Sequence, residues 1–258
     1  MRKLISLFIA VVFAGGIATG QDSEKKLSYY LIGNSLTWDT VPPKLDGDTQ
    51  WHVDCGKSLP FIYKNPEKPC VKTSTLWPTA LKEKQYDFIA LQSHYGSTLV
   101  EDAMVISELM KLQKKAVIII HTGWARSAER ANEWAIAEAN PSSEMKHNVA
   151  YIEALVELVR KTNPGRDVRR TRAMDMLQQV SDDIKAGKAP VKEVADLYRD
   201  KIHMNIATGR YLMHNAMRHA LGQPRFEGNW SNELTPEMKT YLDSVLNRVL
   251  EDQKSGSE

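Results

Sequence analysis

Cysteine is scarce in this chain, since Cys55 and Cys70 are the only two in 258 residues. The sequence also lacks an HExxH motif and any paired Cys-His spacing, which are the usual patterns of zinc sites. We therefore expect no metal site. The scattered histidines His52, His94 and His121 leave metal binding as the alternative.

The N-terminal 20 residues, MRKLISLFIAVVFAGGIATG, place two basic residues before an uncharged run from Leu4 to Ala18. This run is shorter than the ~20 apolar residues that a membrane-spanning helix needs. It predicts a cleaved secretory signal, with an uncleaved anchor as the alternative. No cysteine stands at the expected new N-terminus, which argues against a lipid anchor. We expect a secreted or periplasmic protein with no stable membrane insertion after cleavage.

Charge of either sign is not in excess. Removal of residues 1–20 takes away two of the 34 basic residues and no acidic one, which leaves 32 of each kind. A near-neutral chain gives no electrostatic reason to bind nucleic acid or an anionic membrane. We expect neither kind of partner.

In an exported chain, Cys55 and Cys70 are free to oxidise. They lie fifteen positions apart at the ends of a segment that contains KNPEKP, the one proline-dense stretch. The sequence predicts a disulfide, and two separate thiols are the alternative.

Apolar runs of strand length alternate with stretches of helical spacing. This pattern is typical of a doubly wound, flavodoxin-like α/β domain with a mostly parallel sheet of about five strands. We expect one such domain over residues 21–250 and a disordered tail at 251–258. Strands are predicted at 27–32, 51–53, 86–92 and 116–121, with a weaker edge strand at 167–173. Helices are predicted around 105–112, 152–159, 174–186, 207–221 and 236–250.

Polar or glycine-bearing positions follow the predicted strands at their carboxyl ends, where sites form in such sheets. Ser35, Gly56, Gln92 and His121 all occupy such positions. Ser35 lies in LIGNSLTWDT, and it is either a nucleophile or an ordinary turn residue. A nucleophilic serine needs a base elsewhere in the chain.

A base for Ser35 is available near the C-terminus, where Asp200 and His203 stand three residues apart. A catalytic histidine needs an acceptor that holds its second ring nitrogen, and a nearby aspartate supplies one. A cap at the start of a helix is the alternative role for the aspartate.

Taken together, GNSLT at 33–37 and DKIH at 200–203 resemble the serine and Asp-x-x-His blocks of the SGNH/GDSL hydrolase superfamily. The resemblance spans residues 27 to about 221. It implies a cofactor-free hydrolase that cleaves an ester through an acyl-enzyme. Ser35 would be the nucleophile, His203 the general base and acid, and Asp200 the residue that orients the imidazole.

The resemblance also implies an oxyanion hole formed by the backbone N–H of Ser35, by Gly56 and by a carboxamide after the third strand. Gly56 is alternatively a simple turn glycine. The superfamily commonly has G-x-N-D in the third block, whereas this chain has LQSHYGS at 91–97. Gln92 is the first substitute for the missing asparagine, and His94 is the second.

Further residues near the expected site are candidates for contact with substrate: Asn34, Trp38, His94, His121 and Trp124. Trp38 either stacks on a sugar ring or packs in the core. The segment from His121 to Trp124, together with Arg126, either lines the pocket or forms a structural loop. His214 and His219 fall on a helix, where we expect solvated or core-edge side chains.

The function that these patterns favour is that of an exported serine hydrolase acting on a small-molecule or carbohydrate ester, with a carbohydrate acetyl ester preferred. One alternative is a weakly active or inactive binding protein of the same fold, because the third block is altered. The other is a metal-dependent carbohydrate-processing protein.

Overall fold

The computed structural model describes residues 26–251. The expected signal at 1–20 lies outside the described residues, as does the expected tail at 251–258 except for Glu251, which ends the last helix. The strands are β1 Ser28–Gly33, β2 Asp48–Val53, β3 Phe88–Gln92, β4 Val117–His121 and β5 Val168–Arg170. The helices are α1 Ser35–Asp39, α2 Leu59–Lys64, α3 Trp77–Glu83, α4 Leu99–Lys111, α5 Arg130–Trp134, α6 Val149–Thr162, α7 Ala173–Lys185, α8 Gly209–Ala220 and α9 Pro236–Glu251. Two short 3₁₀ segments occupy Pro42–Lys44 and Val194–Leu197.

The five strands form one sheet in the order β2-β1-β3-β4-β5, and every neighbouring pair is parallel. The predicted doubly wound α/β fold is therefore confirmed, with β5 at an edge. The strand order reverses beside β1, because the chain first moves out to β2 and then returns to β3. Sheets of this kind open a crevice at that point, outside the carboxyl ends of the strands.

The sheet is covered on both faces because successive side chains of a strand point to opposite sides. In β1, Tyr30 and Ile32 pack into one apolar cluster, and Tyr29 and Leu31 pack into another on the opposite face. Helices α2, α3, α4 and α6 supply the first cluster. Helices α1, α7, α8 and α9 pack together on the other side through a third cluster. This burial on both faces explains the nearly continuous apolar runs of β3 and β4.

The predicted disulfide is present. Cys55 and Cys70 are joined, with their Cα atoms 5.6 Å apart, and the backbone N–H of Cys70 donates to the carbonyl of Val53 at 3.0 Å. The bridge therefore ties the loop that follows β2 back to the end of that strand.

Between residues 26 and 251, none of the helices combines the length and the apolar character that crossing a bilayer would require.

Candidate active site

The site begins where β1 ends and α1 starts without an intervening loop. Asn34 is the N-cap of α1, and its Oδ1 accepts the N–H of Leu36 at 2.9 Å. Ser35 is the first residue of the helix and is partly exposed. This cap fixes the backbone on both sides of the Ser35 hydroxyl.

The side chain of Gln92, at the end of β3, is hydrogen-bonded to the turn that contains Ser35. Its Oε1 accepts the N–H of Asn34 at 3.1 Å, the N–H of Thr37 at 2.9 Å and the Thr37 hydroxyl at 2.7 Å. Its Nε2 donates to Asn34 Oδ1 at 2.8 Å. Gly33 is needed here, because a Cβ atom would lie 2.1 Å from Thr37 Oγ1. The turn is therefore held by buried side-chain bonds as well as by the helix.

Ser35, His203 and Asp200 lie within hydrogen-bond distance of one another in a row. Ser35 Oγ is 2.8 Å from His203 Nε2, and His203 Nδ1 is 2.8 Å from Asp200 Oδ2. The aspartate carboxylate accepts from Nδ1, so the tautomer of His203 leaves Nε2 free to take the serine proton. The sequence placed these three residues in one site, and the structure brings them together across a separation of 168 positions.

Asp200 is ionised at neutral pH. Partial burial opposes its charge and would raise its pKa. The backbone N–H groups of His203 and Ile202, however, donate to Oδ1 at 2.8 and 2.9 Å. These two bonds, together with the bond from the His203 imidazole, lower the pKa of Asp200 to about 2. A permanently charged acceptor suits a residue that stabilises an imidazolium.

Asp39, at the end of α1, connects the serine helix to the Asp-x-x-His loop. Its Oδ2 accepts the backbone N–H of Met204 at 2.8 Å, directly after His203. Its Oδ1 accepts from Arg199 at 3.0 Å and from Arg210 at 2.7 Å. The carboxylate is fully buried, and its bonds join the end of α1 to the loop around residues 199–204 and to the start of α8.

Gly56 occupies the third position of a turn closed by the bond from Lys57 N–H to the Asp54 carbonyl, at 3.2 Å. Its φ of +69° is the left-handed conformation that favours glycine. Asn34 Nδ2 donates to the Lys57 carbonyl at 3.0 Å, so this turn is attached to the serine turn. Gly56 is therefore a turn glycine, and a role of its backbone in an oxyanion hole stays a prediction.

His94 lies two residues past the end of β3, and its Nδ1 is 3.3 Å from Nε2 of His147. His147 Nδ1 in turn lies 2.9 Å from the Thr122 carbonyl. Burial, reinforced by the charges of Arg126 and His203, lowers the pKa of His94 to about 4. Burial and the neighbouring His94 place the pKa of His147 well below the usual histidine value.

Four of the candidate residues need correction. Asn34 and Gln92 are 1% exposed, and their side-chain atoms are engaged in holding the serine turn, so neither meets substrate nor supplies an oxyanion donor. His121 is buried, with Nδ1 3.1 Å from Thr171 Oγ1. Trp124 is fully buried and donates its Nε1 proton to the Ile202 carbonyl at 2.7 Å. These side chains support the site from within rather than lining it.

Trp38 is partly exposed and makes an edge contact with Trp51, their ring centroids 5.7 Å apart. Its position three residues after Ser35 keeps it a candidate for contact with substrate. On the helix α8, His214 is buried and His219 is exposed. Across residues 26–251 no three metal-ligating side chains converge.

No family model matches the sequence, and no curated protein matches it. The chain is similar to solved structures of GDSL-like and esterase type. One is a GDSL-like lipase from Parabacteroides merdae, at 11% identity and a TM-score of 0.47, with 77% of this chain and 96% of that chain covered. Another is a family 3 carbohydrate esterase from Talaromyces cellulolyticus, at 12% identity and 0.44, covering 76% and 96%.

A third similar structure is a salicylyl-acyltransferase of a tetracycline biosynthetic pathway, at 12% identity and a TM-score of 0.46. This chain aligns over 78% of its own length and spans about half of that enzyme, 55%. At such identities the chemistry of this chain has to be argued from its own residues.

Sequence reasoning missed four residues that act through long-range contacts: Asp39, His147, Arg199 and Arg210. Asp39 left one signal, a charged residue four positions after Ser35 in a largely apolar stretch. His147 left none, because the stretch from 122 to 148 has no periodic pattern that would place it beside His94.

Proposed function

We propose that this protein is a serine hydrolase that cleaves a carboxylic ester through an acyl-enzyme. The single observation that carries the proposal is the row from Ser35 Oγ through His203 to Asp200, with both links at 2.8 Å. Activation of a serine hydroxyl requires such a base and such an orienting acceptor.

In the proposed reaction His203 Nε2 takes the proton of Ser35 as Oγ attacks the ester carbonyl. The developing oxyanion meets the backbone N–H of Ser35, which has no partner within residues 26–251, whereas the N–H groups of Leu36 and Thr37 are occupied. The Gly56 backbone is the second proposed donor. His203 then protonates the departing alkoxide, and the same histidine activates the water that releases the acid.

A carbohydrate ester, with acetyl as the acyl group, is the substrate class that we propose. The partly exposed Trp38 beside Ser35 supports it, because indole rings stack on sugar faces. The Cys55–Cys70 bridge supports a secreted or periplasmic location, because oxidised cysteine pairs are typical of proteins outside the cytosol.

A binding protein without turnover is the second candidate. One observation favours it: the third block holds no carboxamide free to stabilise an oxyanion, because Gln92 is committed to the serine turn. Loss of one such donor typically reduces turnover by ~10² to 10³.

The deciding experiment is the intact mass of the protein after exposure to a fluorophosphonate. We expect one adduct on the wild type and on the control H219A, whose altered histidine is exposed on α8, and none on S35A or H203A. A folded wild type without an adduct, or an adduct that persists in S35A, would overturn the hydrolase proposal and favour the binding protein. An adduct would be followed by a screen of acetylated sugars and short acyl esters.

A further inference from the structure

The hydrogen-bond relay behind His94 fixes which of its ring nitrogens carries a proton. The relay starts at the Thr122 carbonyl, which can only accept, so His147 Nδ1 at 2.9 Å must donate to it. His147 is 2% exposed, and its lowered pKa keeps the ring neutral at pH 7. A neutral imidazole carries one N–H, so Nε2 of His147 is bare and can only accept.

The tautomer of His94 follows from that of His147. Its Nδ1 lies 3.3 Å from the bare Nε2 of His147, so Nδ1 carries the proton and donates it. His94 is neutral at pH 7 because its pKa is about 4. Its Nε2 is therefore a bare acceptor. His94 thus has the wrong polarity to stabilise an oxyanion, which was its predicted role as a substitute for the third-block asparagine.

The Nε2 atom of His94 has no hydrogen-bond partner among residues 26–251. His94 is 5% exposed and lies on the same edge of the sheet as Ser35, two residues beyond Gln92. It is close enough to His203 for a proton taken up by that imidazole to act on it. The polar side chains that surround the Ser35 turn, Asn34, Thr37 and Gln92, are already bonded to one another.

An ester group presents acceptors only, since its carbonyl and bridging oxygens carry no hydrogen. A bare imidazole nitrogen beside it can bond only to a donor elsewhere on the substrate. On the alcohol part of an ester, a free hydroxyl is such a donor.

We infer that His94 Nε2 accepts a hydrogen bond from a free hydroxyl on the alcohol part of the substrate, so that the site selects esters of polyhydroxy compounds over esters that lack a donor. The inference rests on the proposed ester hydrolysis and narrows its substrate class. His94 binds substrate, and His147 is a positioning residue that sets its tautomer.

The test compares two matched esters: a mono-acetylated methyl xyloside with its other hydroxyls free, and the same compound with those hydroxyls O-methylated. We expect the wild type to favour the free form by roughly tenfold in kcat/KM, the value of about one neutral hydrogen bond. In H94A the ratio should fall towards one, and in the control H219A it should stay. A wild-type ratio near one, or a ratio that H94A leaves intact, would overturn the inference.

A second measurement does not depend on hydrolysis. In ¹⁵N-histidine-labelled protein, with His94 assigned by the signal lost in H94Q, we expect an unprotonated Nε2 whose resonance shifts on addition of methyl xyloside and not of its fully O-methylated form. A protonated Nε2, or no selective shift, would refute the inference. Absence of a fluorophosphonate adduct beside a selective shift would refute the proposed hydrolysis alone.

Discussion

Asp39 accepts a hydrogen bond from the backbone N–H of Met204, the residue after His203, at 2.8 Å. Asp39 lies four positions after Ser35, so one buried carboxylate links the helix that carries Ser35 to the loop that carries Asp200 and His203. Arg199 and Arg210 neutralise its charge.

We expect the substitution D39N to lower kcat by about 10- to 100-fold with little change in KM, because a displacement of ~1 Å between nucleophile and base has that order of effect. Steady-state kinetics on a short acyl ester give kcat and KM, and a thermal melt shows separately whether the variant has lost stability. The control is D46N, which changes an exposed aspartate that pairs with Arg218. Equal kcat in D39N and wild type would remove the positioning role.

Gln92 offers a second prediction, because Q92A would leave two backbone N–H groups and the Thr37 hydroxyl unpaired in the interior. Unsatisfied buried groups cost about 1–3 kcal/mol each, and partial relaxation reduces their sum. We expect the free energy of unfolding to fall by about 2–4 kcal/mol in denaturant titrations. The exposed Gln85 supplies the control Q85A, with an expected change within about 1 kcal/mol. A loss no larger than in this control would mean that the serine turn holds itself.

The buried histidines predict that the fold weakens in mild acid. Burial lowers the pKa of His52, His94, His121 and His214 to about 4 each. Between about pH 6.5 and 4 these histidines bind protons in the unfolded chain but stay neutral in the folded chain. The free energy of unfolding therefore declines as the pH falls, by at most about 1.4 kcal/mol per pH unit for each histidine.

We therefore expect the melting temperature to drop steadily from pH 7 to pH 4.5. The substitution H52Q should flatten that slope by about one histidine's share, whereas Q85A, which removes no titratable group, should not. A melting temperature independent of pH across this range would contradict the prediction.

The disulfide between Cys55 and Cys70 should stabilise the turn that contains Gly56. A loop of fifteen residues corresponds to about 3 kcal/mol in the chain-entropy account. We expect reductant to lower the melting temperature of the wild type and to have no effect on a C55S/C70S double variant. The same melting temperature for both proteins without reductant would show that the bridge adds no stability.

The strands and long helices could be predicted from the sequence because each has its own period. The runs YDFIALQ and AVIIIH contain β3 and β4, and the predicted helix at 236–250 agrees with α9 to within one residue. The short α1 was missed, because five residues from Ser35 to Asp39 carry no readable period. Its start depends on Asn34 and on Gln92, which is 58 positions away.

The pair Asp200 and His203 was predictable because the two residues are local to each other. The roles of Gln92 and His94 were not, because each is decided by a partner from another part of the chain. A carboxamide or an imidazole contains both a donor and an acceptor atom, so the residue type alone does not tell which of them is available. Its neighbours in the folded chain decide which atom is already bonded and which is left for another group.

Ser35 and His203 lie 168 positions apart in sequence. Four of the five strands, β2 to β5, lie between them in sequence. Under the proposed function, a fragment that ends before residue 200 would carry an ordinary alcohol at position 35, because it lacks both Asp200 and His203. Ester hydrolysis would therefore report that the segment around residues 200–204 has packed against α1.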